Sequence, residues 1–301
     1  MVVHPPPPAD VPSFIEAYRE VLGTFVGTCD GLREAEWDLP TSCPGWTVKD
    51  HVAHVVHVES VLAGLAHPAE GHTGDLEIRV GSPEHVRHSF AVWMEEGVRA
   101  REDLSGPELV QALREVAEIR LAALYDPDLE MDTPVPSVRG RQDPFGDVMA
   151  LRVADIWVHG QDIRAVVDRP GALESPGAAV FTSYVLSTVP DVVLGLDPVP
   201  APGTVVILES TGPVTGRAGV RIGTDADGAP CAHELFTGHT SAEDDTPDVD
   251  ESPDAVTTIQ LSTHELTRRA AGRQTADETA YHVQGDEELA SRVLGALDVT
   301  P

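Results

Sequence analysis

From Val11 to about Ser187 the apolar residues of this chain recur at three- and four-residue spacing, and after Asp191 the pattern gives way to β-branched runs flanked by turn residues. That switch constrains the fold more than any other feature, because a helical half and a strand-bearing half must each bury their own apolar faces. Phe14, Ala17, Tyr18, Val21, Leu22 and Phe25 mark a first helix running to about Leu32. A Pro44-Gly45 turn precedes the second: Thr47 is a good N-cap, Asp50 completes a capping-box arrangement, and the helix starts near Val48. Its histidines, His51, His54 and His57, alternate with apolar residues, so either face could be the buried one. Further helices are expected over 83–104, over 107–126 with Pro107 in the first turn, over 144–168 with Arg169-Pro170-Gly171 as a stop, and from Pro176 to Ser187. Strands are expected at 203–210, 216–224 and 255–262, then a helix at 263–273, a short strand at 280–286 and a closing helix at 287–297.

The domain plan that follows is a disordered proline-rich tail over 1–10, a helical bundle over 11–189, and a small α+β unit over 190–301, with loops at 67–82 and 239–254. Hydrophobic residues make up 41% of the 301, enough for ordinary cores. Against 50 acidic residues stand 20 basic ones, all arginine except Lys49, and the formal charge of -30 repels nucleic acid and anionic membranes alike. Cys29, Cys43 and Cys231 are too scattered for a disulfide framework or a Cys-x-x-Cys motif, and no leader or long apolar run is evident. A cytoplasmic monomer with small-molecule partners, touching neither nucleic acid nor membrane, is the expectation.

Candidate chemistry centres on Asp155-Ile156-Trp157-Val158-His159-Gly160-Gln161-Asp162. On a helix Asp155 and His159 share a face, with Asp162 one turn further on. A carboxylate and an imidazole are two legs of a metal site, and His54 is the preferred third, which leaves one coordination position for water or a thiol. The competing reading makes the three histidines of the second helix a solvated face and Asp155–His159 a buried hydrogen-bonded pair. Two histidines and a carboxylate also describe an iron site, so the ligand types alone leave the metal open. No Gly-x-Ser-x-Gly elbow and no phosphate-binding glycine loop occurs. Cys43, ahead of a helix start, is a conceivable reactive thiol. Arg217, Arg221, Arg268, Arg269 and Arg273 are the arginines available to a substrate carboxylate.

The segments CPGWTVKDHVAHVVHVES, DIWVHGQDIRAVVDRPG and HELTRRAAGRQTADE with YHVQGDEELASRVLGAL together resemble the mycothiol-dependent maleylpyruvate isomerase family of actinobacteria, over nearly the whole chain from about residue 11 to 298. The resemblance implies a DinB-like helical bundle holding a divalent metal, usually zinc, through His54, Asp155 and His159, and a sterol-carrier-like C-terminal α+β domain that supplies an arginine, for which Arg217 and Arg221 are the choices here. It also implies mycothiol as thiol cosubstrate and a small electrophile as substrate, in an isomerase or an S-transferase. Aspartate at 155, where the isomerase has glutamate, shortens that ligand by one methylene, and His51 stands where an aliphatic residue is more usual. A non-catalytic protein binding a metal or small ligand is the alternative.

Overall fold

The computed structural model describes residues 1–66, 78–237 and 256–300, so the acidic loop at 239–254 and most of the loop at 67–82 lie outside the described residues. By internal contacts the chain divides into two units, one of Pro8–Ala172 and one of Met1–Pro7 with Leu173–Thr300. The first residues, expected as a disordered tail, include a strand, β1 (Val2–His4), that belongs to the second unit. Proline at positions 5 to 8 rules out a helix there, but it leaves the backbone groups of residues 2–4 free to pair at a sheet edge.

The helical unit contains α1 (Val11–Asp30), α2 (Val48–Leu62), α3 (Ser89–Arg99), α4 (Gly106–Ala123), a small hairpin of β2 (Pro134–Pro136) and β3 (Gln142–Pro144), and α5 (Phe145–Val166). Local signals set the starts. Asp10 caps α1 in a reciprocal box with Ser13, Thr47 does the same for α2 with Asp50, and Ser105 for α4 with Glu108. The third helix begins at Ser89 rather than at Pro83, because the His88 side chain takes up the Ala91 N–H and stops the helix from extending backward.

Against the single-stripe expectation, α2 is buried on almost every side: His51, Val52, Ala53, His54, Val55, Val56, His57 and Val58 are all buried. It packs on α3, α4 and α5, while α1 packs on α5 and α4. A helix enclosed all round has no solvent face to mark its orientation, so the sequence left both faces open. Tyr18, Phe25, Leu109, Leu113 and Ile156 are fully buried between these helices, and each such aliphatic or aromatic side chain stabilises the fold by about 1.5–3 kcal/mol. The hairpin loop contributes Val138 to a cluster with Val58, Val61, Leu62, Trp93 and Val148.

The second unit is the expected α+β arrangement. Its strands are β1, β4 (Val205–Thr211), β5 (Thr215–Thr224), β6 (Pro230–Leu235), β7 (Val256–Leu261) and β8 (His282–Gln284), in the order β1-β5-β4-β7-β8 with β6 also on β5. Among the described residues only β4 and β7 run parallel, and the other pairings of this sheet are antiparallel. Four helices complete it: α6 (Pro176–Ser187), α7 (Val189–Leu194), α8 (Thr263–Ala270) and α9 (Glu287–Ala296). Because α6 and α7 pack on β5, this unit begins at Leu173, ahead of the proline and glycine cluster at which a break was expected. The stretch Pro176–Leu194 is long and apolar enough to cross a membrane, yet 56% of it is buried within the fold, which is the pattern of core helices. β6 was missed because its run, Pro-Cys-Ala-His-Glu-Leu, lacks apolar alternation; its burial is that of an exposed edge.

Candidate metal centre

Two buried helices carry the site. α2 contributes His51 and His54 one turn apart, and α5 contributes Asp155, His159 and Asp162. The structure brings His54, Asp155 and His159 together with their ligand atoms within 4.8 Å of one another, and it also groups His51, His159 and Asp162 by the same measure. Distances separate the two groups. Donor atoms bound tetrahedrally at 2.0–2.1 Å from one ion lie about 3.3 Å apart. Asp155 Oδ2 is 3.4 Å from His54 Nε2 and Asp155 Oδ1 is 3.6 Å from His159 Nε2, close to that spacing. His51 Nδ1 and His159 Nδ1 are 2.8 Å apart, which is hydrogen-bond distance and too short for two ligands of one ion.

The same distances argue against a plain buried hydrogen-bonded pair, since 3.6 Å between Asp155 and His159 is longer than such a bond. His54 is 2% exposed, and neither of its ring nitrogens finds a hydrogen-bond partner among the described residues. Leaving such a group unsatisfied costs about 1–3 kcal/mol, and a cation beside Nε2 would remove that cost. The donor set therefore fits a divalent metal.

The charges around it are arranged to match. Burial pushes the His54 imidazole down to about 4, so it is neutral and its lone pair is available. Burial also disfavours the Asp155 carboxylate, but the Arg152 guanidinium, with His159 and His54, outweighs that and holds it well below the usual carboxylate range. For His159 burial opposes the charged form, and Asp155 and Asp162 together overcome it and move the group upward.

Behind Asp155 lies a buried ionic network that sequence reasoning missed. Arg152 Nη1 donates to Asp155 Oδ2 at 2.8 Å and its Nε to Glu59 Oε1 at 3.0 Å. Glu59, with no exposed surface, also accepts from the Tyr18 hydroxyl and from Arg120 Nε. The signal was present in the spacing: Arg152 precedes Asp155 by three residues on α5, and Glu59 is an acid set among the apolar residues Val55, Val56, Val58, Val61 and Leu62 of α2. Trp46 is buried against His51, His54 and His159 at ring separations of 5.5, 5.0 and 5.7 Å and donates its indole N–H to Glu95. The turn that delivers it depends on Gly45, at φ 79°, where a Cβ would meet the His85 ring at 2.2 Å.

The remaining residues singled out in the sequence lie elsewhere. His57 packs against Trp93 with ring centroids 4.5 Å apart and planes tilted by 50°. Cys43 is half-buried in the turn before α2, and its backbone N–H donates to Thr41 Oγ1. Arg217 on β5 is ion-paired with Glu209 at 2.8 Å and lies over the Phe236 ring, and Arg221 on the same strand stands opposite Val205 and His233. Arg269 donates to the carbonyls of Leu294, Gln274 and Gly295, which ties α8 to the end of α9, and Arg273 donates to Ala271.

Residues 18–164 match the family described as the mycothiol maleylpyruvate isomerase N-terminal domain. Among solved structures, the crystal structure of the mycothiol-dependent maleylpyruvate isomerase is similar at 17% identity over 90% of this chain and 92% of that chain, with a TM-score of 0.50. A histidine-to-alanine mutant of that isomerase gives 16% identity over the same shares and a TM-score of 0.49. At such identity the likeness shows the fold. No curated protein matches the chain at a significant level.

Proposed function

We propose, from the match of residues 18–164 to the mycothiol maleylpyruvate isomerase N-terminal domain family, that the chain is a thiol-dependent enzyme of isomerase type whose divalent metal, zinc first among them, is held by His54, Asp155 and His159. Mycothiol is the proposed thiol and a small unsaturated keto acid of the maleylpyruvate type the proposed substrate. The observation that carries the reading is the convergence of three ligand atoms from α2 and α5, with Asp155 Oδ2 3.4 Å from His54 Nε2 and neither His54 nitrogen hydrogen-bonded among the described residues. When bound, zinc supplies a Lewis acid that keeps a thiol in its thiolate form near neutral pH.

The protein's own groups prepare that position. Arg152 keeps Asp155 anionic and orients it, so that one oxygen faces each imidazole. Trp46 covers the two histidine ligands with an apolar face and excludes water from them. A thiol held there would supply a thiolate able to add reversibly to the carbon–carbon double bond, the electron pair passing to the conjugated carbonyl, so that rotation about the resulting single bond and expulsion of the same thiolate would restore the double bond in the other geometry. Arg217 and Arg221 are the arginines proposed to meet the substrate carboxylate. The test is isomerisation of maleylpyruvate with added mycothiol by zinc-loaded full-length protein. Turnover by the wild type that disappears in His159→Ala and His54→Ala supports the reading, and equal rates for the variants refute the assigned ligands.

A further inference from the structure

His159 has two ring nitrogens, and only Nε2 faces Asp155 Oδ1; Nδ1 faces Nδ1 of His51 at 2.8 Å, with Asp162 Oδ2 at 3.7 Å as a further acceptor that also favours a proton on Nδ1. Two ring nitrogens at that distance share one proton, so one donates and the other accepts. The other nitrogen of His51, Nε2, is 2.8 Å from the Thr41 hydroxyl. That hydroxyl has a single proton. Its oxygen also lies 3.1 Å from the carbonyl of Trp46, which can only accept, and 3.2 Å from the backbone N–H of Cys43, which can only donate. The Trp46 carbonyl accepts the Thr41 backbone N–H at 3.0 Å, and the Thr41 hydroxyl donates its proton to the same oxygen. His51 must then carry its proton on Nε2 and donate it to Thr41, which leaves its Nδ1 bare to accept from His159 Nδ1–H.

From this chain of contacts we infer that Thr41 and His51 are positioning residues that fix the proton of His159 on Nδ1 and present Nε2, with its lone pair, as the metal-ligating atom. The mirror arrangement, with Thr41 donating to His51, would place a hydrogen on His159 Nε2 and block it as a ligand. His51 thus has a role that an aliphatic residue at its position lacks. The consequence rests on the metal reading above, whereas the proton arrangement stands on its own contacts.

The test uses full-length protein with 15N-labelled histidine, read by long-range 1H–15N correlation without metal. His51 is expected as the Nε2–H form in the wild type and in Thr41→Ser, and as the Nδ1–H form in Thr41→Val, whose methyl cannot accept. Zinc affinity by chelator competition is expected to fall about 10- to 100-fold in Thr41→Val and in His51→Leu, and to be retained in Thr41→Ser. A wild-type His51 bearing its proton on Nδ1 overturns the inference, as does a Thr41→Val protein with wild-type spectrum and wild-type zinc affinity. Failure of the wild type to bind zinc removes the metal reading, and the metal-free spectrum still decides the proton arrangement.

Discussion

The interior between α2 and α5 and the interior of the sheet are built from opposite materials. The sheet buries Val206, Leu208, Val220, Ile222, Ile259 and Leu261, and the polar side chains buried beside them, Ser210, Thr257 and Thr263, are uncharged hydroxyls. The helical unit buries Glu59, Arg152, His51, His54, His159 and Asp162 at comparable depth. An apolar core gains stability from every buried side chain, while buried charge costs unless it is paired and hydrogen-bonded. The difference is one of charge: the helical interior holds ionisable groups that must be paired, and the buried strand residues named above hold none.

The comparison breaks most visibly at Glu59. Glu59→Ala leaves Arg152 and Arg120 buried without their shared carboxylate, and a loss of about 3–5 kcal/mol is expected in denaturant unfolding, with weaker zinc binding as Asp155 loses its support. Leu208→Ala in β4 should cost about 2–5 kcal/mol through its cavity and leave zinc affinity unchanged. Equal effects of both variants on zinc would erase the distinction.

That contrast also governs what could be read from the sequence. The Asp155–His159 spacing and the Thr47–Asp50 cap were visible because helix geometry is local, and they placed three residues that the fold brings together. The Thr41–His51–His159 chain was not visible, because a loop hydroxyl and two helices meet only through tertiary packing. The sheet's long strands announced themselves by β-branched content, whereas β1, three residues beside a proline run, depends wholly on its pairing with β5.

Acid probes the helical interior next. In metal-free protein the folded chain holds His54 near 4, while the unfolded chain takes up that proton around 6.5. Between those values the unfolded state binds more protons, so stability falls as pH is lowered from 6.5 and levels off below 4, by roughly 3 kcal/mol in all. The difference in unfolding free energy between wild type and His54→Gln, followed over that range, should shrink in acid; a pH-independent difference would show that His54 is not buried as a neutral imidazole. The smallest effect is expected on the sheet surface. Arg217→Ala breaks a half-exposed pair with Glu209 and should change stability by about 0.2–1 kcal/mol, so any large loss of turnover in that variant would reflect substrate binding.

Metal content addresses the centre itself. Full-length protein stripped with chelator, reloaded with zinc and freed of excess should retain one zinc per chain, while His54→Ala, Asp155→Ala and His159→Ala, each confirmed folded by circular dichroism, should retain none. A wild-type protein that keeps no divalent metal, or ligand variants that keep as much as the wild type, would contradict the assignment of His54, Asp155 and His159 as the site around which α2 and α5 are built.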